Sequence, residues 1–203
     1  MTRVVAVDEP RTASDRLDEA GAVLRRGGLV AFPTESFYGL GADALDEAAV
    51  ARVFQAKGRP ETKPVLVLVE SVAMAEDLVA DLSEEVRGLM ARHWPGPLTL
   101  VLRARPHVPP ALTAGTGTVG VRMPGHAIAG ALVRAAGRPI TAPSANPSGA
   151  APPTTASEVR AYFPAALDLI LDGGATPGGT GSTVADCTVW PPRLLRAGPV
   201  ELP

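Results

Sequence analysis

Apolar residues along this chain fall into helix-spaced stripes separated by short β-branched runs, with Gly or Pro at most of the changeovers. Thr12 and Asp15 give a start like a capping box, Leu17, Ala20 and Leu24 follow at helical spacing, and Gly27-Gly28 stops the helix. Residues 29–32 then read as a strand running into Pro33-Thr34-Glu35, so that Thr34, Glu35 and Tyr38 arrive at a strand end. A second stripe, Ala49, Val50, Val53 and Phe54, predicts a helix over 46–57 with Gly58 as its stop. Pro60 and Pro64 stiffen the next turn, and residues 65–69 are short, β-branched and apolar, as a buried strand requires.

Ser71 and Ser83 stand where N-caps of two short helices belong, both ending before Trp94-Pro95-Gly96-Pro97. Further strands are expected at 98–102, 119–122 and 140–142, with a helix over 128–135 before the last of them. Thr155 opens a helix to about Tyr162, residues 167–171 are apolar, and strand candidates near Thr183 and Leu194 follow. Strands and helices do not alternate regularly, so the pattern predicts a single α/β domain over 1–203 with a twisted mixed sheet and flanking helices.

Length and composition fit that prediction: 203 residues, 46% hydrophobic and 20% charged, suffice for one packed core. The net charge of −2 provides no global field for a polyanion, so any anion site must be a local cluster of cations. Cys187 has no partner for an internal bridge and the first residues lack the apolar core of a signal peptide, so a cytoplasmic location is expected. No apolar run is long enough to cross a bilayer.

Two phosphate-binding patterns match by letters and fail by context. Gly115, Gly117 and Gly120 spell G-x-G-x-x-G, but a strand and Pro124 follow where a helix must. The Gly-rich run 173–180 has P-loop spacing with Gly179 where the lysine must be. His93, His107 and His126 have no metal-ligand spacing with Cys187, and Ser144 lacks a nearby base. What remains at loop positions is rich in donors and poor in nucleophiles: Thr34, Tyr38, Lys57, Arg59, Thr118, Arg122, Ser144, Asn146, Ser182 and Arg196. An isolated Lys57-x-Arg59 is ordinarily a solvated pair, yet with this set it suits chemistry in which substrates are aligned and charge is neutralised. Phosphoryl and nucleotidyl transfer fit. Glu35 reads either as a base or metal contact or as a solvated cap.

The ordered segments PTESFYGLGADAL, KGRPETKPVLVLV, WPGPLTLVL, VGVRMP, APSANPSG, PPT, DGG, GSTVAD and LLRAG resemble those of the YrdC-like family of threonylcarbamoyl-AMP synthases, over residues 14 to 203. The resemblance implies a twisted α/β fold around a concave basic cavity. It implies an enzyme that joins ATP, L-threonine and bicarbonate or carbon dioxide into L-threonylcarbamoyladenylate and pyrophosphate, for the modification of tRNA. Carried over by motif, Thr34, Tyr38, Arg122, Ala142 through its backbone, and Ser182 would hold threonine. Lys57, Arg59, Thr118, Ser144, Asn146, Pro152 through its backbone, and Arg196 would hold ATP, with Lys57 and Arg59 as the catalytic cations. Mg²⁺ would enter with ATP rather than in a protein metal site. A downstream transferase would consume the adenylate, and contact with tRNA would be weak.

Ser36-Phe37, Val65, Leu68 and Pro152 depart from the commoner family residues, Leu68 standing where some members carry a threonine-contacting His. With no further domain expected after Pro203, the chain resembles the single-domain branch. Two rival readings are distinguishable. An RNA-binding module would need more than the 4% aromatic residues present to stack bases. A carbamoyl-transfer domain like those of hydrogenase maturation proteins would be accompanied by acylphosphatase and zinc-finger segments, which this sequence lacks.

Overall fold

In the computed structural model, residues 1–7, 13–58 and 64–203 are described. The chain enters through strand β1 (Arg3–Ala6) and helix α1 (Ser14–Arg25). Thr12, the expected cap, lies outside the described residues; Ala13 occupies the N-cap position without a side-chain bond. β2 (Val30–Pro33) turns back as β3 (Tyr38–Gly41), antiparallel to it with Val30 opposite Gly41. β1 and β3 are absent from the sequence expectation. α2 (Glu47–Lys57) starts where Asp46 accepts bonds from the backbone N–H groups of Ala48 and Ala49, and ends at Gly58 in the left-handed region, φ 56°.

β4 (Leu66–Leu68), α3 (Val72–Leu78) and α4 (Glu84–His93) follow, the Ser71 and Ser83 hydroxyls capping the helices as predicted. β5 (Leu98–Arg103), the short α5 (Pro110–Thr113), β6 (Thr118–Arg122), α6 (Ala127–Ala136) and β7 (Ile140–Thr141) come next. α7 (Ala156–Tyr162) opens with a full capping box between Thr155 and Glu158, and β8 (Leu169–Asp172), β9 (Thr183–Asp186) and β10 (Arg193–Arg196) close the chain.

The single sheet expected from sequence is two sheets, both mixed. Four strands run β1-β8-β2-β3 and six run β10-β9-β5-β6-β4-β7. Isolated bridges, Gly39 to Ser144 and Asp43 to Ile140, tie them where β3 passes the end of β7. β2, β3 and β8 of the four-stranded sheet are buried on both faces while β1 is partly exposed at its edge, which is why β2 and β8 read as continuous apolar runs. Val30, Phe32, Leu169 and Leu171 pack with α1 and α6, while Ala31, Leu40 and Ile170 pack with α2 and α7. Gly21 lets α1 lie directly on α6: a Cβ there would stand 2.5 Å from the Ala135 carbonyl oxygen.

The six-stranded sheet is covered by core along one face, and on the other only at its β4–β7 end, where Leu68 and Ile140 pack with α6. Leu98, Leu100 and Leu102 of β5, Val119 and Val121 of β6, Val67 of β4 and Ala185 of β9 point to α3 and α4. The strand period of two sends their sequence neighbours to the opposite face.

Candidate functional site

That opposite face is the floor of a cavity of about 660 Å³. Strand register lays its side chains in rows. Arg193, Asp186, Val101, Gly120 and Leu66 stand side by side across five strands, and Arg196, Val184, Thr99, Arg122 and Leu68 form the next row. Walls come from the 34–39 turn between β2 and β3, from Ala142, Pro143 and Ser144 after β7, and from Pro152, Gly181 and Ser182. Gly120 leaves a depression in the middle of the floor, since a Cβ there would touch only the Thr99 and Val101 methyls at 3.4 and 3.8 Å. Gly120→Val is therefore expected to fill the cavity without disturbing the core. Ligand affinity should fall by at least about tenfold while the thermal melt moves by less than about 2 °C, within the range of a mild core-free substitution.

Two guanidinium groups and two hydroxyls meet at one end. Arg122 is buried; its Nε donates to the Gly96 carbonyl at 2.8 Å and its Nη2 lies 2.7 Å from Glu35 Oε2. Arg196 clasps Ser182, with Nε and Nη2 donating to the Ser182 carbonyl at 2.9 and 2.8 Å and Nη2 also to the hydroxyl at 2.9 Å. The Ser182 hydroxyl shares a 2.8 Å hydrogen bond with Thr99. Burial first, and then the positive charge of Arg122, pull Arg196 below the ordinary arginine value, so the two cations feel one another. Such a pair is a place for an anion.

Glu35 faces the same end. Burial pushes its carboxyl up, but Arg122, the Glu35 and Gly125 backbone N–H groups and the Arg122 hydrogen bond together outweigh burial and hold it below the usual carboxylate range. Glu35 is therefore a partly buried ion paired with Arg122 rather than a solvated cap. Tyr38 is buried, and its hydroxyl donates to the Gly174 carbonyl at 2.7 Å and lies 3.4 Å from Asp172; burial and then the Asp172 charge push it up to about 12. The Thr34 hydroxyl donates to the Phe37 carbonyl at 2.7 Å and shapes the turn that forms the wall. Burial, then Asp186, raises the Cys187 thiol to about 11, which leaves it a poor nucleophile.

Of the residues expected from sequence, Thr34, Tyr38, Thr118, Arg122, Ala142, Ser144, Pro152, Ser182 and Arg196 all line this cavity. Lys57 and Asn146 have a different neighbourhood from the one expected. The Lys57 ammonium is buried and donates to the carbonyls of Ser144 and, at 2.6 Å, Asn146. The Asn146 amide donates to Pro147 and Ala150 at 2.9 and 2.8 Å. Both brace the 144–150 loop behind the wall. Arg59 lies outside the described residues. Leu68 touches the cavity and packs into the core beside Ile128, Leu132 and Ile140. Thr99, Val101, Gly120, Val184, Asp186 and Arg193 were missed by sequence reasoning, although strict alternation along β5, β6 and β9 would have placed most of them opposite the core positions.

A family model for Sua5, YciO and YrdC, described as telomere recombination, matches residues 22–198. The chain belongs to this family. A curated threonylcarbamoyl-AMP synthase of Pyrococcus abyssi is 48% identical over 202 residues, all of this chain and 59% of that protein. A putative threonylcarbamoyl-AMP synthase of Mycobacterium tuberculosis is 40% identical over 99% of this chain and 92% of its own length. Among solved structures, P. abyssi Sua5 in complex with L-threonine superposes with a TM-score of 0.89 at 47% identity, covering 97% of this chain and 57% of that one. The chain thus spans somewhat more than half the length of its Pyrococcus relative. Family members at these identities share the mixed α/β fold described above.

Proposed function

We propose that this protein is a threonylcarbamoyl-AMP synthase, taking ATP, L-threonine and bicarbonate or carbon dioxide to L-threonylcarbamoyladenylate and pyrophosphate. The observation that carries the reading is the Arg122, Ser182 and Arg196 cluster at the end of a cavity whose family relative was solved with L-threonine. In this reading Arg122, with Thr34, Ala142 and Ser182, holds the amino acid. Its ammonium gives up a proton to solvent, the resulting amine adds to carbon dioxide to give a carbamate with release of a second proton to solvent, and a carbamate oxygen attacks the α-phosphorus of ATP as pyrophosphate leaves. Arg196, Ser144, Thr118 and Pro152 face the nucleotide from the other walls. A fixed guanidinium beside the reacting oxygens stabilises charge that builds up in the transition state.

Mg²⁺ enters with ATP in this reading, neutralising phosphate oxygens. Among the described residues no group of three or more His, Cys, Asp or Glu side chains is arranged to hold a metal ion. The product is a reactive mixed anhydride, so an acyl-transfer enzyme acting on tRNA must consume it. No helix among the described residues is long and apolar enough to cross a membrane. With a net charge of −2 and two Trp, two Tyr and four Phe in the chain, free tRNA should bind weakly and salt-sensitively. Pyrophosphate release from ATP tests the reading. It should require threonine and bicarbonate together, and release that ignores either one would overturn the proposal.

A further inference from the structure

A free α-amino acid is a zwitterion, so a site that offered only guanidinium groups would attract its carboxylate and repel its ammonium. Resting on the amino-acid reading of the cavity above, we propose that Glu35 receives the α-ammonium of the substrate, so that Glu35 and Arg122 together read both charges.

Among the described residues, two carboxylates line the cavity, Glu35 and Asp186. Asp186 is already engaged: Oδ1 accepts from the Thr188 N–H at 3.0 Å and hydroxyl at 2.6 Å, and Oδ2 from Arg193 at 2.8 Å. It also stands in the row of Val101, one row away from Arg122. Glu35 has capacity left. Oε2 is buried against Arg122 Nη2 at 2.7 Å, whereas Oε1 accepts one bond, from the Gly125 N–H, in an exposed position and keeps a lone pair for a second donor. The side chain is 26% exposed, so a ligand in the cavity has access to it.

Its charge state fits the task. Arg122 and the backbone N–H groups overcome the effect of burial and keep Glu35 ionised, which makes it an anchor for an ammonium and a weak proton acceptor. His126, the other titratable group that senses Glu35, is driven by burial toward its neutral form and so does not compete for that charge.

Calorimetric titration of the protein with L-threonine and with 2,3-dihydroxybutyrate, in which a hydroxyl replaces the ammonium, tests the assignment. Wild type is expected to prefer threonine by at least about tenfold, the scale of a hydrogen bond between charged groups, and Glu35→Gln to lose most of that preference. Glu35→Asp, which keeps the charge, should recover it, with thermal melts confirming that both variants are folded. A Glu35→Gln protein that keeps the full preference, or that loses both ligands equally because Arg122 has lost its aim, would overturn the assignment of the ammonium and leave the amino-acid site standing. A wild type that binds neither ligand would overturn the amino-acid reading itself.

Discussion

Replacing Arg122 with alanine is expected to raise the threonine concentration needed for half-maximal pyrophosphate release by about 30-fold or more, while the ATP requirement changes far less. Truncating one partner of a buried charge pair formed on binding costs about 2 to 5 kcal/mol, and in the proposed complex Arg122, aimed by the Gly96 carbonyl and Glu35, is the partner of the substrate carboxylate. Arg122→Lys should rescue only part of the loss, because one ammonium cannot reproduce a fork aimed at a carboxylate while also holding the Gly96 carbonyl. The amino-acid profile sharpens the test. A site that hydrogen-bonds the substrate hydroxyl should reject valine by about 10⁴-fold, whereas serine, short of one methyl, should lose only about 1 to 3 kcal/mol. Equal use of valine and threonine, or an Arg122→Ala defect confined to ATP, would show that this end of the cavity does not take the amino acid.

Helices and caps were the most legible part of the sequence. Ser71, Ser83 and Thr155 each cap a helix as their positions predict, because a cap depends on a few neighbouring residues and little else. β3 escaped notice because Tyr38-Gly39-Leu40-Gly41 has poor strand propensity. It is a strand only by virtue of pairing with β2 and of burial against α2 and α7. The partition into two sheets was equally hidden. It depends on β8 lying between β1 and β2, a contact across some 140 to 170 positions of sequence that no local pattern encodes.

The site was legible in its residue types and less so in its geometry. Hydroxyls and guanidiniums at strand ends pointed to the cavity, but the floor that joins them is made of residues whose only signal is alternation, such as Thr99, Val101 and Val184. Sequence left Glu35 open between a base or metal contact and a solvated cap, because its environment depends on Arg122, 87 positions away. Its pairing with Arg122 removes the solvated cap.

Lys57 carries the remaining large prediction, and the structure changes its expected form. The sequence expectation treats it as a cation that binds ATP. In the structure its ammonium is buried, with 4% of the residue exposed, and donates to the carbonyls of Ser144 and Asn146, while its own carbonyl accepts from the Ser148 N–H at 2.7 Å. One residue thus fastens the end of α2 to the loop that carries Ser144 into the cavity wall. A hydrogen bond to a charged group contributes about 1.5 to 3 kcal/mol, and removing the donor also strands two carbonyls out of water. Lys57→Ala is therefore expected to cost about 3 kcal/mol, or roughly 6 to 12 °C in Tm for a chain of this size. Turnover should fall with it, since Ser144 loses its support. Differential scanning calorimetry beside the pyrophosphate assay separates the two roles. An unchanged melt with turnover abolished would assign the ammonium to the nucleotide, and a lowered melt with a matching rise in the ATP requirement would assign it to the loop on which the nucleotide rests.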